Sequence, residues 1–142
     1  CGMSSVVVLA AQIECDVEQA AQLLFDRFQE LQPGQVLVAG GEPTVTRRGH
    51  GRGGRCTELA VRFALLAAGQ PVQALFASSD GVDGSSGTAG VLLRGISSFD
   101  AASAREALAR SDSVTAAAEI GELIMMPPTG NNLRDLFLLA RT

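Results

Sequence analysis

The chain contains no lysine, no tryptophan and no tyrosine, a single histidine, and six phenylalanines as its whole aromatic content. Each absence removes a class of function. A Walker phosphate loop needs a lysine beside its glycines, so that loop is excluded. With His50 as the lone histidine and no Gly-x-Ser-x-Gly elbow, neither a serine triad nor a histidine metal cluster can be assembled. So few aromatics leave few stacking platforms for nucleic acid, and a net charge of -4 argues the same way. The three cysteines, Cys1, Cys15 and Cys56, are odd in number and lack ligand spacing, which points away from a disulfide framework and from zinc. Cys1-Gly2-Met3 reads as a cloning scar or truncation point and carries no structural weight. No apolar run approaches the roughly 18 residues of a membrane span. The expectation is a soluble, cytoplasmic protein without membrane or nucleic-acid partners.

What is present is compact and locally charged. At 142 residues and 46% hydrophobic, the chain suffices for one core and does not need two. Every one of its 11 basic residues is arginine, and Arg47, Arg48, Arg52 and Arg55 crowd together in an otherwise acidic sequence. Such focusing suits a small anionic ligand better than a polyanion. In the same stretch Gly49, Gly51, Gly53 and Gly54 alternate with Arg52 and Arg55, after a strand-like segment and before a helix-like one. Backbone amides can converge on an anion at such a place, so the stretch reads as an oxyanion or phosphate loop.

The succession of elements predicts a single α/β domain with a mixed, mostly parallel sheet flanked by helices. Ser4 to Gln12 reads as a buried strand, and Asp16 caps an amphipathic helix reaching Leu31, its apolar face carrying Ala20, Leu24 and Phe28. Val36 to Ala39 is a second buried strand, and Gly40-Gly41 turns into a third, polar one from Glu42 to Arg48. Arg55 to Ala68 is helical and apolar nearly all round, with Leu59, Phe63 and Leu66 on one face and a Glu58–Arg62 pair. Val72 to Ser78 is a strand ending at Ser79-Asp80-Gly81-Val82-Asp83-Gly84, and ligands of open α/β sheets collect beyond such carboxyl ends. Ala89 to Arg94 reads as a strand or a helix start. Asp100 caps a helix to Arg110, another helix begins near Asp112 or Ser113, and Leu123 to Met126 and Leu136 to Ala140 are strands around a Pro127 to Asn132 loop.

Competing readings attach to several residues. Gly49 to Gly54 fits the dinucleotide pattern G-x-G-x-x-G, but the preceding strand is polar and the loop carries two arginines where bare backbone is needed. Cys56 and Arg62 have the spacing of cysteine phosphatases, on a segment that should be helix and cannot curl round a phosphate. Cys56 itself reads as a reactive helix-start thiolate or as a small half-buried residue. His50 reads as a solvated side chain or a ligand contact. Asp80 and Asp83 read as a magnesium pair or as turn formers with Gly81 and Gly84.

Four motifs occur in fixed order: Gly40-Gly41-Glu42-Pro43-Thr44-Val45-Thr46, the glycine–arginine loop with Glu58-Leu59-Ala60, Asp80-Gly81-Val82-Asp83-Gly84, and Pro128-Thr129-Gly130-Asn131-Asn132-Leu133-Arg134-Asp135-Leu136. Over residues 36 to 140 the chain resembles the MOFRL domain, the carboxyl-terminal part of class II glycerate kinases, many of which are also labelled hydroxypyruvate reductases. The resemblance implies an α/β domain forming one wall of a cleft, opposite an amino-terminal Rossmann-like kinase domain. It implies transfer of the terminal phosphoryl group of ATP to glycerate, giving 2-phosphoglycerate, with Mg2+. It implies catalytic roles for Arg52 and Arg55. Substrate or phosphate contacts would come from Gly41, Glu42, Thr44, Gly51, Gly53, Gly54, Glu58, Thr129, Gly130 and Asn132, and metal contacts from Asp80 and Asp83. Cys56-Thr57 stands where the family has Asn-Gln, Pro127 where it has Gly, and Gly87 where it has Asp. The expectation is a single domain, residues 1 to 142, without the amino-terminal domain and its lysine-bearing segment, inactive alone and with apolar surface favouring a homodimer. Two alternatives stand beside this: a freestanding, non-enzymatic anion-binding or interaction module, and an NAD(P)-dependent oxidoreductase of hydroxypyruvate reductase type.

Overall fold

The computed structural model describes residues 5–96 and 99–142. The reading of Cys1-Gly2-Met3 lies outside the described residues. Ten elements follow in order: β1 (Ser5–Val8), α1 (Val17–Gln29), β2 (Gln35–Gly41), α2 (Arg55–Leu66), β3 (Val72–Ser78), β4 (Gly90–Leu93), α3 (Ala101–Ala109), α4 (Ser113–Ile120), β5 (Glu122–Ile124) and β6 (Asp135–Arg141).

Local chemistry accounts for the helices. Asp16 caps α1 by accepting from the Glu18 amide at 2.8 Å, and Asp100 caps α3 through the amides of Ala102 and Ser103. Ala20, Leu24 and Phe28 repeat at helical spacing and bury one face of α1. Helix α2 is buried over most of its surface because α1 and α4 flank it while β3 and β4 lie beneath. Leu66, at its last turn, escapes this cover and is exposed. Phe63 of α2 anchors the core, its ring 6.4 Å from Phe25, 5.9 Å from Phe28 and 5.5 Å from Phe76, which in turn lies 6.0 Å from Phe137. Five of the six phenylalanines thus form one connected cluster tying α1 and α2 to the sheet.

The six strands form one mixed sheet in the order β1-β2-β6-β3-β4-β5. The single α/β domain follows expectation; the share of parallel pairing does not. Only β1 and β2 pair in parallel, and every other neighbouring pair is antiparallel. The physical reason is the place of β6. Crossovers through α1 and α2 do send β1, β2 and β3 in one direction. The last strand then inserts between β2 and β3, antiparallel to both, so that the two never touch.

Two further expectations are corrected. Glu42 to Arg48 is not a strand: Thr44 forms one isolated bridge with Asp16, while β2 runs on to Gly41. Strand β1 is exposed along its whole length rather than buried, because it is the sheet edge. Ala89 to Arg94 resolves as strand β4. The helices gather on one face, leaving the other without a helix among the described residues. No described helix is long and apolar enough to cross a membrane.

Candidate functional site

The glycine–arginine loop runs into α2 against the start of α4. Its amides are already engaged: Gly51 donates to the Arg110 carbonyl at 3.0 Å, Arg52 to Asp112 Oδ1 at 3.2 Å, Gly53 to Ser85 Oγ at 3.2 Å and Gly54 to Thr57 Oγ1 at 2.9 Å. The first turn of α2 is likewise taken. Asp83 is buried, its Oδ1 accepting from the Cys56 amide at 2.8 Å and its Oδ2 from the Thr57 amide at 2.9 Å. A helix N-terminus attracts negative charge, and here a carboxylate from the same chain answers it. The amides therefore converge on internal acceptors, which corrects the expectation of an amide cradle facing a ligand. It also counts against the dinucleotide reading, since most of the amides a pyrophosphate would meet are engaged.

The glycines have a different cause. A Cβ on Gly51 would lie 2.5 Å from Asp112 Cβ, one on Gly53 2.1 Å from Ser113 Oγ, and one on Gly54 2.3 Å from Asp83 Oδ1. Their alternation records how closely the loop approaches α4 and the Asp83 carboxylate.

What faces solvent is guanidinium. Arg55 donates from Nε to Asp135 Oδ2 at 2.7 Å and from Nη2 to Asp135 Oδ1 at 3.2 Å, with Glu42 Oε1 3.7 Å from Nη2. Asp135 is 1% exposed and sits at the head of β6, paired with Gly41 on one side and Ser78 on the other. The hydrogen bond to Asp135 is the main reason that Arg55 is held protonated more firmly than an ordinary arginine. Its Nη1 has no hydrogen-bond partner among the described residues, so a fixed cation stands over the carboxyl ends of β2 and β3 with a donor edge open. Arg55, Gly51, Gly53, Gly54 and Glu58 line one open cleft of about 290 Å³, with Val45, Arg47 and Ser113 among its other walls.

The remaining residues singled out by sequence divide into neighbours and outliers. Arg52 lies beside the cleft, its guanidinium held by the carbonyls of Ser85 and Ser86 at 3.2 and 3.0 Å, and Gly87 leaves room for it. Glu58 is buried and neutralised by Arg62 at 2.8 Å. Gly41 and Thr44 pack along the segment 13–17, through Ile13 and through the Cys15 and Val17 backbone. Thr129 donates from its hydroxyl to the Ser79 carbonyl at 2.7 Å and from its amide to the Asp80 carbonyl at 2.9 Å, knitting the 127–134 loop onto the 79–84 loop, while Asn132 accepts from the Arg134 amide within its own loop and Gly130 is open. His50 is exposed. Burial pushes the Cys56 thiol well above its usual range, which leaves it an inert core residue.

A magnesium ion fits Asp80 and Asp83 poorly as a pair. Asp80 accepts from Ser78 Oγ and the Val82 amide through Oδ1, bonds that lower its pKa, and keeps Oδ2 available. Both oxygens of Asp83 are consumed by amides, and burial pushes its carboxyl upward against those bonds. Among the described residues no three His, Cys, Asp or Glu side chains cluster as a metal site. Sequence reasoning missed Asp135 as the partner of Arg55, and Ser85 and Ser113 as walls; nothing in linear spacing joins residue 55 to residue 135.

A mixed-sheet α/β domain presenting an arginine anchored by a buried carboxylate belongs with neither the P-loop nor the dinucleotide-binding folds. The chain belongs to the MOFRL family, whose model matches residues 35–135. It is 29% identical to a D-glycerate 2-kinase of Thermotoga maritima over 92% of this chain and 34% of that protein. A protein of Agrobacterium vitis that carries a hydroxypyruvate reductase name is 35% identical over 71% of this chain and 25% of its own length. Among solved structures, a glycerate kinase of Thermotoga maritima superposes with a TM-score of 0.82 at 26% identity, covering 99% of this chain and 37% of that one. The chain thus spans about a third or less of the relatives it matches.

Proposed function

We propose that this domain supplies one wall of a glycerate 2-kinase site and grips the carboxylate or phosphate of a small sugar acid through Arg55. The observation that carries the reading is the Arg55–Asp135 pair. The buried carboxylate fixes the guanidinium in place, so an anion meets a preorganised donor rather than a mobile side chain. Phosphoryl transfer from ATP to glycerate is largely positioning and neutralisation of charge on the transferred oxygens. Arg55 can stabilise that charge, and Arg47 and Arg52 add positive potential round the cleft. The chemistry magnesium would supply, were it bound, is neutralisation of phosphate charge. With Asp83 committed to α2, Asp80 alone retains a free carboxylate oxygen for such an ion. The remaining groups, a base for the glycerate hydroxyl among them, belong to chain that this domain does not contain. Alone it binds weakly and does not turn over.

The reductase reading loses support from the occupied amides of residues 51 to 54, 56 and 57. Thermal-shift titration separates the readings, because a ligand bound only by the folded state raises the melting temperature. Phosphate, glycerate and 2-phosphoglycerate should stabilise the wild type and leave Arg55→Lys, which keeps the charge but loses the fork, much less affected. Stabilisation by NADH alone would refute the kinase assignment.

A further inference from the structure

Strand alternation gives the sheet a second, unpartnered face. It sends Val36, Val38, Leu75, Leu92, Leu136 and Leu138 away from the helices. The register sets them in rows, with Val38 opposite Leu138, Leu138 opposite Leu75, and Leu75 opposite Leu92. No charged residue shares this face on the four central strands. At the edge Val6 and Val8 are 50% and 68% exposed, and Leu136 is 41% exposed. Leu133, 83% exposed, lines a groove of about 290 Å³ with Val8, Val38 and Leu136, and Arg134 stands at its polar end. A monomer rarely leaves a contiguous apolar surface of this kind open.

The occupant follows from area and architecture. Strand lengths and spacing give the face roughly 500 Å², so two copies face to face would hide about 1,000 Å², below the roughly 1,200–2,000 Å² of stable pairs. A layer belonging to the same polypeptide escapes most of the entropy cost of association and can be this small. A largely antiparallel sheet that leaves one face to water ordinarily alternates apolar residues inward with polar ones outward, and here the outward positions of the central strands are mainly valine and leucine with no helix over them. The Thermotoga kinase superposes on 99% of this chain while 63% of its own length lies outside the 37% matched.

We propose that this face is the docking surface for an amphipathic helical layer carried by the further two-thirds of a glycerate-kinase-type polypeptide, its apolar stripe seated on the Val38, Leu138 and Leu75 row. The proposal rests on the kinase reading for its occupant and is independent of what Arg55 binds.

The test replaces the matching third of the Thermotoga D-glycerate 2-kinase with this chain. Hydroxyl-radical modification of Leu75, Leu136 and Leu138 is then compared with that in the chain alone. Leu66, exposed on the helical side, serves as reference. Docking predicts roughly ten-fold less modification of the three leucines in the chimera, the scale expected when contacts close over them. Equal modification overturns it. Should the heterologous joint misfold, the chain alone carries a second test. With the face open, Leu136→Glu, at a position 41% exposed, leaves the melting temperature nearly unchanged and the chain sediments as a monomer throughout a dilution series. A large loss of stability, or a dimer that Leu136→Glu dissociates, overturns the proposal, the dimer by making a second copy the occupant. Glycerate-dependent ATP consumption by the chimera reads the kinase assignment separately. An active chimera with reactive leucines sinks the docking alone, and an inactive one with protected leucines sinks the function alone.

Discussion

Replacing Asp83 tests the claim that the chain caps its own central helix with a distant carboxylate. Asp83→Ala removes two short bonds to the Cys56 and Thr57 amides, both buried. Hydrogen bonds to a charged acceptor contribute about 1.5–3 kcal/mol each, and an orphaned buried amide costs about 1–3 kcal/mol. Against this stands the desolvation of Asp83 itself, which the substitution relieves and which is visible as the upward push on its carboxyl. Two such bonds, less that relief, leave a net expectation of about 3 kcal/mol, above the roughly 0.5–2 kcal/mol of an ordinary cap. For a domain of this size that is roughly a 10 °C fall in melting temperature. Asp83→Asn, which retains one acceptor oxygen, should lose about half as much. Thermal and denaturant unfolding read both, and a loss below about 1 kcal/mol for Asp83→Ala would refute the capping account. The pH dependence gives an independent sign. A carboxyl raised in the folded state adds stability at acid pH and loses it as pH climbs through its folded pKa. The advantage of wild type over Asp83→Asn should therefore widen as pH falls from neutrality toward the ordinary carboxylate value. A narrowing gap would show that the amides outweigh burial.

Other substitutions probe the same region. Gly53→Ala should destabilise by about 1–3 kcal/mol through its clash with Ser113 Oγ, and Ser113→Gly in the same chain should recover much of the loss in denaturant melts. Arg55→Ala leaves Asp135 buried and unpaired and should cost about 3 kcal/mol or more, whereas the Arg55→Ala, Asp135→Ala pair should cost distinctly less than the sum of the two single changes, read as a double-mutant cycle. Phe63→Ala, at the centre of the aromatic cluster, should cost about 3–5 kcal/mol by chemical denaturation. Cys56 should resist thiol reagents in the native state and react only on unfolding, followed by mass spectrometry.

Features written in neighbouring residues were legible from sequence. Asp16 and Asp100 cap helices through amides two or three residues away, and the turns of α1 repeat Ala20, Leu24 and Phe28 at contact spacing. Sheet order was not, because β6 reaches its place between β2 and β3 through pairings such as Gly41 with Asp135, about two-thirds of the chain length apart. Strand directions could be inferred from the crossovers, but a strand from the far end could still separate them.

The glycine loop shows the same limit acting on chemistry. Alternating glycines before a helix say that something approaches the backbone closely, and composition cannot say whether that is a ligand or the protein. Here Asp112, Ser113 and Asp83 supply the contacts, the last from 27 residues beyond Cys56. Because that carboxylate consumes the N-terminal charge of α2, backbone amides have little left to offer an incoming anion. The affinity of the cleft must then come from side chains. Arg55 is the one whose position is set by a buried carboxylate, so exchange of Arg55 should weaken phosphate binding far more than exchange of Arg52, whose guanidinium is held only by the neutral carbonyls of Ser85 and Ser86. Isothermal titration of phosphate into Arg52→Ala and Arg55→Lys measures the two side by side. Equal losses would mean that the cleft binds by diffuse charge rather than by a fixed guanidinium.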